Sequence, residues 1–237
     1  MASTSETSFG ARLRKAQDLL AYISGFTSYN PPRQNETIAS MTALINSIVS
    51  ANSLEASHRE TYRLSVDRRH LAYFKSEDSV DKLLSPIRGA VEAQFGKKSI
   101  ESTSISAIIK KIRASKVTKA PADPSKDEQE KTISQSERSY GSIVQYFNDI
   151  INSLSQFSGY NPSNSTLKVA NLQLLSTKLT TYSNEVAKNA QTLKTTKTKR
   201  LELYAELKDR VQRIKSYVKA QYGNSSSEYE LIKGLSI

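Results

Sequence analysis

Apolar residues recur along this chain at helical spacing, in two parallel series. Phe9, Leu13, Ala16, Leu20 and Ile23 are spaced 4-3-4-3, and Tyr140, Val144, Phe147, Ile151 and Leu154 repeat that spacing. Each series draws one apolar seam down a first helix. Met41, Leu44 and Ile48 continue the period in a second helix, as do Leu172, Leu175, Leu179, Tyr182 and Val186 in the later series. A third seam runs through Val80, Leu84, Ile87 and Val91, matched by Leu207, Val211, Ile214 and Val218. No alternating pattern long enough for a strand accompanies them. The predicted class is all-α, a helical bundle.

The matching is a tandem repeat. SETSFG (5–10) aligns with SERSYG (136–141) at an offset of 131, which also pairs Asp18 with Asp149, Met41 with Leu172, and Tyr73 with Tyr204. AQFG (93–96) aligns with AQYG (220–223) at an offset of 127, so the first copy carries four extra residues just after Tyr73, around FKSED (74–78). A surface connection is expected there, because loops tolerate insertions. Between the copies, KVTKAPADPSKDEQEK (116–131) combines proline with dense mixed charge and reads as a linker. The expected organisation is a repeat unit at 5–113, a linker at 114–133 and a second repeat unit at 134–237. Each unit is an elongated bundle of three helices with a short C-terminal helix.

Three local points remain open in the pattern. No Gly or Pro interrupts 33–85 or 163–222, so helix two either runs on to Tyr73 or Tyr204 or breaks into a hairpin. Its polar, Thr-rich stretch NAQTLKTTKTKR (189–200) is poor helix material alone and needs a partner surface. Ser85-Pro86 either restarts helix three or places a kink in it. Gly96 and Gly223 mark its end as left-handed caps, and Ser225 with Glu228 has capping-box spacing for the short last helix.

Charge adds one candidate function. The chain is +11 overall, with +5 in 5–113 and +6 in 134–237. Two basic stretches occupy equivalent places. One holds Arg59, Arg63, Arg68 and Arg69 beside Tyr62 and Tyr73, and the other holds Lys194, Lys197, Lys199 and Arg200 beside Tyr204. These eight cations are the candidate polyanion contacts, in a protein with no recognised nucleic-acid motif. The plainer reading of the same residues is a solvated helix face.

Composition narrows the rest. No cysteine is present, which excludes disulfides, thiolate metal sites and a cysteine nucleophile. The N-terminus lacks an apolar h-region, and no apolar run approaches the ~18–20 residues that span a bilayer. The expected setting is cytoplasmic. His58 and His70 align with Asn189 and Leu201, so no metal pair is duplicated. Glu202 and Glu206 lie one turn apart but lack the Glu-x-x-His partners of a di-metal bundle, and Glu206 pairs more naturally with Arg210. Gly-rich phosphate loops and a GxSxG elbow are missing. No catalytic, cofactor or metal residue is therefore assigned, and the chain is read as non-enzymatic.

SQSERSYGSIVQYFNDII, the YNP corner and the tail VKAQYGNSSSEYELIKGL resemble a family of uncharacterised bacterial helical proteins. In that family an FG or YG helix end followed by Ser-x-Glu-Tyr closes each chain or repeat. The resemblance covers most of the second unit; in the first, KKSIESTSISAIIKKI lacks the Glu-Tyr step. It implies an all-α fold and supplies no activity, cofactor or site residue.

The repeated corner is the last candidate. Phe26, Tyr29, Asn30 and Pro31 recur as Phe157, Tyr160, Asn161 and Pro162, between helices one and two. Asn before Pro suits an N-cap followed by a first-turn proline, with Ser163 competing as cap in the second copy. The two aromatics would then pack into the bundle; exposed pairs on one face would instead mark twin ligand sites. The functional expectation is a helical scaffold or interaction module with a protein partner or self-association. Nucleic-acid or polyanion binding is the alternative, and membrane-surface association a weaker one.

Overall fold

The structure is a computed structural model that describes residues 8–113 and 139–237. The predicted linker at 114–133 lies outside the described residues. Seven α-helices are present among them and no strand: α1 (Phe9–Ser24), α2 (Ile38–His70), α3 (Val80–Phe95), α4 (Ile100–Arg113), α5 (Tyr140–Gln156), α6 (Val169–Tyr222) and α7 (Ser227–Lys233). The protein is an all-α helical bundle.

Helix two and helix three differ between the copies, and the extra residues explain why. In the first copy α2 ends at His70, passes through a π turn at Leu71–Lys75 and stops before α3 begins at Val80. Ser76 N closes that turn on Leu71 O at 2.9 Å. In the second copy the extra residues are absent, and α6 continues unbroken for 54 residues. One helix therefore stands where two were expected, and the hairpin alternative is removed. In the Thr-rich stretch the hydroxyls are accommodated by bonding backward along the helix, Thr195 to Gln191 O and Thr196 to Thr192 O. Its inner face also packs, with Leu193 and Thr196 buried.

Caps fix the other ends. Ser8, Ser139 and Ser226 accept from the backbone N–H three residues on, at 3.2, 3.1 and 3.1 Å. The last of these moves the expected α7 cap from Ser225 to Ser226. Gly96 and Gly223 take positive φ of 94° and 99°, which a Cβ disfavours, and they end α3 and α6 as anticipated. Helix α3 starts behind Ser79 and runs through Pro86, so Ser85-Pro86 does not restart it. The donor lost at Pro86 falls on an exposed position.

The chain divides into two compact units, Met1–Tyr62 with Asn189–Ile237 and Arg63–Lys188. We call them the terminal and the central unit. Neither corresponds to 5–113 or 134–237. The terminal unit takes α1 and the first part of α2 from the first copy, with the later part of α6 and α7 from the second. The central unit takes the end of α2, α3 and α4 from the first copy, with α5 and the start of α6 from the second. The third helix of each copy thus packs on the first two helices of the other.

Each unit has its own core. Leu19, Ile23, Met41, Ile48, Leu207 and Ile214 are buried in the terminal unit. Leu84, Ile87, Ile105, Phe147, Ile150 and Leu172 are buried in the central one. At about 1.5–3 kcal/mol for each fully buried large aliphatic or Phe side chain, these seams are the main stabilising term. The two largest fully buried side chains are the matched tyrosines, Tyr204 and Tyr73. Tyr204 OH donates to Phe9 O at 2.8 Å and accepts from Asn52 Nδ2 at 2.9 Å. Among the described residues Tyr73 OH meets only Ser183 Oγ, at 3.3 Å.

The YNP corner is not a helix cap. Asn30, Pro31, Asn161 and Pro162 lie outside any helix, and α2 and α6 begin seven residues beyond the prolines, after a 3-10 turn. The corner is instead a latch. Tyr29 OH donates to Glu36 O at 2.8 Å, and Tyr160 OH donates to Leu167 O at 3.1 Å, each spanning the same seven residues. Burial pushes the Tyr160 hydroxyl up to about 12 and, with nearby Tyr217 and Glu36, raises Tyr29 as well. Phe26 sits edge-on to Tyr222 and Phe157 edge-on to Phe95, both at 5.8 Å. Tyr222 and Phe95 are themselves matched residues, on the third helix of the opposite copy. The corner residues Phe26, Tyr29, Phe157 and Tyr160 are half-buried. Their backbone is pinned too: Tyr217 OH bonds both N and O of Asn30, and Gln94 bonds Gly159 O and Asn161 N.

Candidate functional site

The eight candidate polyanion contacts separate by residue type. The arginines are held by the protein itself. In the terminal unit Glu55 is buried and takes both Arg59, at 2.7 Å, and Arg200, at 3.0 Å. Burial alone would raise the Glu55 pKa; the hydrogen bonds from Arg59 and the charge of Arg200 lower it instead. The Arg200 guanidinium also stacks on Phe9 at 4.1 Å. Its matched residue in the central unit, Arg69, stacks on Tyr140 at 3.9 Å. Arg68 pairs with Glu185 at 3.3 Å and lies over Tyr182, while Arg63 pairs with Asp67 at 2.8 Å. Lys194, Lys197 and Lys199 are exposed and carry no ion pair among the described residues.

Other candidate chemistry is not gathered into a site. No group of three or more His, Asp or Glu side chains able to hold a metal exists among the described residues. His58 Nδ1 lies 2.8 Å from Thr196 Oγ1, whose hydroxyl is also 2.9 Å from Thr192 O. His70 packs against the Phe74 ring. Among the described residues no helix is long and apolar enough to cross a membrane.

A cleft in the central unit, absent from the expectations, is concave and partly apolar. It has a volume of about 520 Å³ and is lined by Leu83, Leu174 and Leu175, with Thr166, Asn171 and Lys178 among its polar residues. That volume falls within the range of ligand clefts, roughly 300–1,000 Å³. Leu174 is 67% exposed there, an unusual place for a leucine. Asp78, in the connection that only the first copy carries, stands at the rim. No partner for Asp78 is found among the described residues.

The matched region of the terminal unit is built differently. Leu174 corresponds to Ala43, and Leu83 corresponds to Arg210. Arg210 Nη1 donates to Asn35 O at 2.8 Å and to Ser40 O at 3.1 Å, while its Nε donates to Glu206 at 3.1 Å. The Arg210 side chain is only 13% exposed. One unit therefore covers this place with its own arginine, and the other leaves it open. In the sequence the difference shows as Leu83 against Arg210, one of many divergences in a third helix that keeps its apolar seam and its AQFG/AQYG end.

Comparison of the chain with protein-family models, with curated proteins and with solved structures finds no match. The resemblance to a bacterial helical family therefore rests on the residues that carry it.

Proposed function

We propose that the chain is a non-enzymatic helical scaffold, a tandem duplication of a three-helix unit, that docks a segment of a partner protein in the cleft of the central unit. The observation that carries this reading is the open apolar cleft around Leu83, Leu174 and Leu175, set against its covered counterpart. Exposed leucine beside threonine hydroxyls suits a peptide better than a charged metabolite, because apolar anchors supply affinity and a few polar groups supply register. The Tyr160 latch closes on Leu167, next to the lining residue Thr166.

The test places a photo-crosslinking side chain at Thr181, which lines the cleft, or at its counterpart Ser50. The Thr181 position gives an adduct of defined mass that disappears with Leu174→Asp; the Ser50 position gives none. Equal labelling from both positions, or an adduct indifferent to Leu174→Asp, refutes the reading.

A second reading has an observation of its own. Lys194, Lys197 and Lys199 are exposed, and although Lys197 acts on Glu55 at a distance, none forms a salt bridge among the described residues, which favours contact with a polyanion. Heparin retention that falls steeply with salt, and is lost on reversing those three lysines, supports it. Retention unchanged by the reversal removes it.

A further inference from the structure

The covered cleft describes what the open one lacks. In the terminal unit a guanidinium meets two backbone carbonyls, Asn35 O and Ser40 O, with the Glu206 carboxylate beside them. Asn35 corresponds to Thr166 and Ser40 to Asn171, and both of these line the open cleft. In place of Arg210 stands Leu83, which has no donor. The Thr166 carbonyl takes no hydrogen bond among the described residues. Asp78, which lines the same cleft, offers a carboxylate where the terminal unit has Glu206 on its arginine.

We propose that the cleft of the central unit is a socket for an arginine side chain carried by the partner segment. Bound there, it reproduces in trans the contact that Arg210 makes within the terminal unit. This rests on the docking reading above and names the chemistry of the docked residue. Leu83, Leu174 and Leu175 form a surface suited to the aliphatic stem of arginine. A carbonyl and a carboxylate set apart suit the planar fork of a guanidinium better than a lysine ammonium. Lys178, also in the lining, opposes an incoming cation, so the carboxylate of Asp78 is required and not incidental.

The probe is a short acetylated and amidated peptide with one arginine between two leucines, titrated into the full chain and followed by amide NMR shifts. A second peptide replaces arginine with citrulline, its neutral near-isostere. The arginine peptide shifts Thr166, Asn171 and Lys178, and binds about tenfold or more tighter than the citrulline peptide, as one charge-assisted contact implies. Leu83→Arg abolishes binding by filling the socket internally, and Arg210→Leu opens a further site in the terminal unit. Because Leu83 is buried and its variant can misfold, Asp78→Asn on the exposed connection provides an independent check, with about tenfold weaker arginine-peptide binding. Equal affinity for the two peptides overturns the arginine socket and leaves the docking reading standing. Binding of neither peptide overturns it as well, and the cross-linking result then decides whether the docking reading falls with it.

Discussion

The terminal and central units use matched residues for the same structural tasks and unmatched residues for different ones. Arg200 on Phe9 and Arg69 on Tyr140 are the same stack, and the latches from Tyr29 and Tyr160 are the same latch. The departures cluster elsewhere. Where the terminal unit has Glu55, Asn52 and Arg210, the central unit has Val186, Ser183 and Leu83. The terminal unit uses all three places for internal polar contacts; the central unit keeps one such contact, Ser183 to Tyr73, and is apolar at Val186 and Leu83. The docking proposal rests on one of these differences, Leu83 against Arg210.

The largest expected effect concerns how the units are assembled. Because each unit combines segments of both copies, residues 139–237 expressed alone lack α3 and α4 for the core around α5, and lack α1 and α2 for the core around the later part of α6. That fragment forms no stable folded monomer; it self-associates or unfolds, as size exclusion and circular dichroism will report. Cleaving the full chain within 114–133 has the opposite outcome, with both pieces eluting together. A cooperative, monomeric fragment would restore the repeat copies as the folding units.

A smaller effect compares the buried tyrosines. Tyr204→Phe leaves Asn52 and Phe9 O without their partner and costs about 1–3 kcal/mol. Tyr73→Phe removes one long contact to Ser183 and costs about 0.5–1 kcal/mol. Urea denaturation of the two variants ranks them, and equal losses would mean that the hydroxyl network in the terminal unit adds nothing.

The smallest effect is a pH dependence confined to the terminal unit. The folded pKa of Glu55 lies below its ordinary value of 4.5, so its contribution to stability is present above that value. It is lost as pH falls through the folded pKa. Glu55→Gln therefore lowers stability near neutrality by about 1–2 kcal/mol and flattens the acid limb of the stability curve. The matched Val186 carries no charge, so Val186→Ala leaves the slope of that limb unchanged.

Much of the fold was legible in the chain, for identifiable reasons. The 4-3-4-3 seams specify helices, and the positive φ of Gly96 and Gly223 falls where glycine ended the pattern. The shift from 131 to 127 located the break between α2 and α3. The corner was located but misread as a cap, because Asn-Pro is compatible with several turns and the Tyr29–Glu36 bond spans seven residues. The basic stretches were read by charge alone, which cannot distinguish an arginine stacked on a ring from a lysine in solvent.

By itself, then, the sequence determined the class, the repeat, the seams and the site of the one helix break, since all of these follow from local spacing and local breakers. The tertiary structure decided which copy each third helix packs against. An apolar seam requires burial but is non-directional, so Val80 to Val91 and Leu207 to Val218 are equally good partners for either core. Only the folded chain pairs them across copies. The same step sets Arg210 over the carbonyls of Asn35 and Ser40 while leaving Leu83 beside an open cleft.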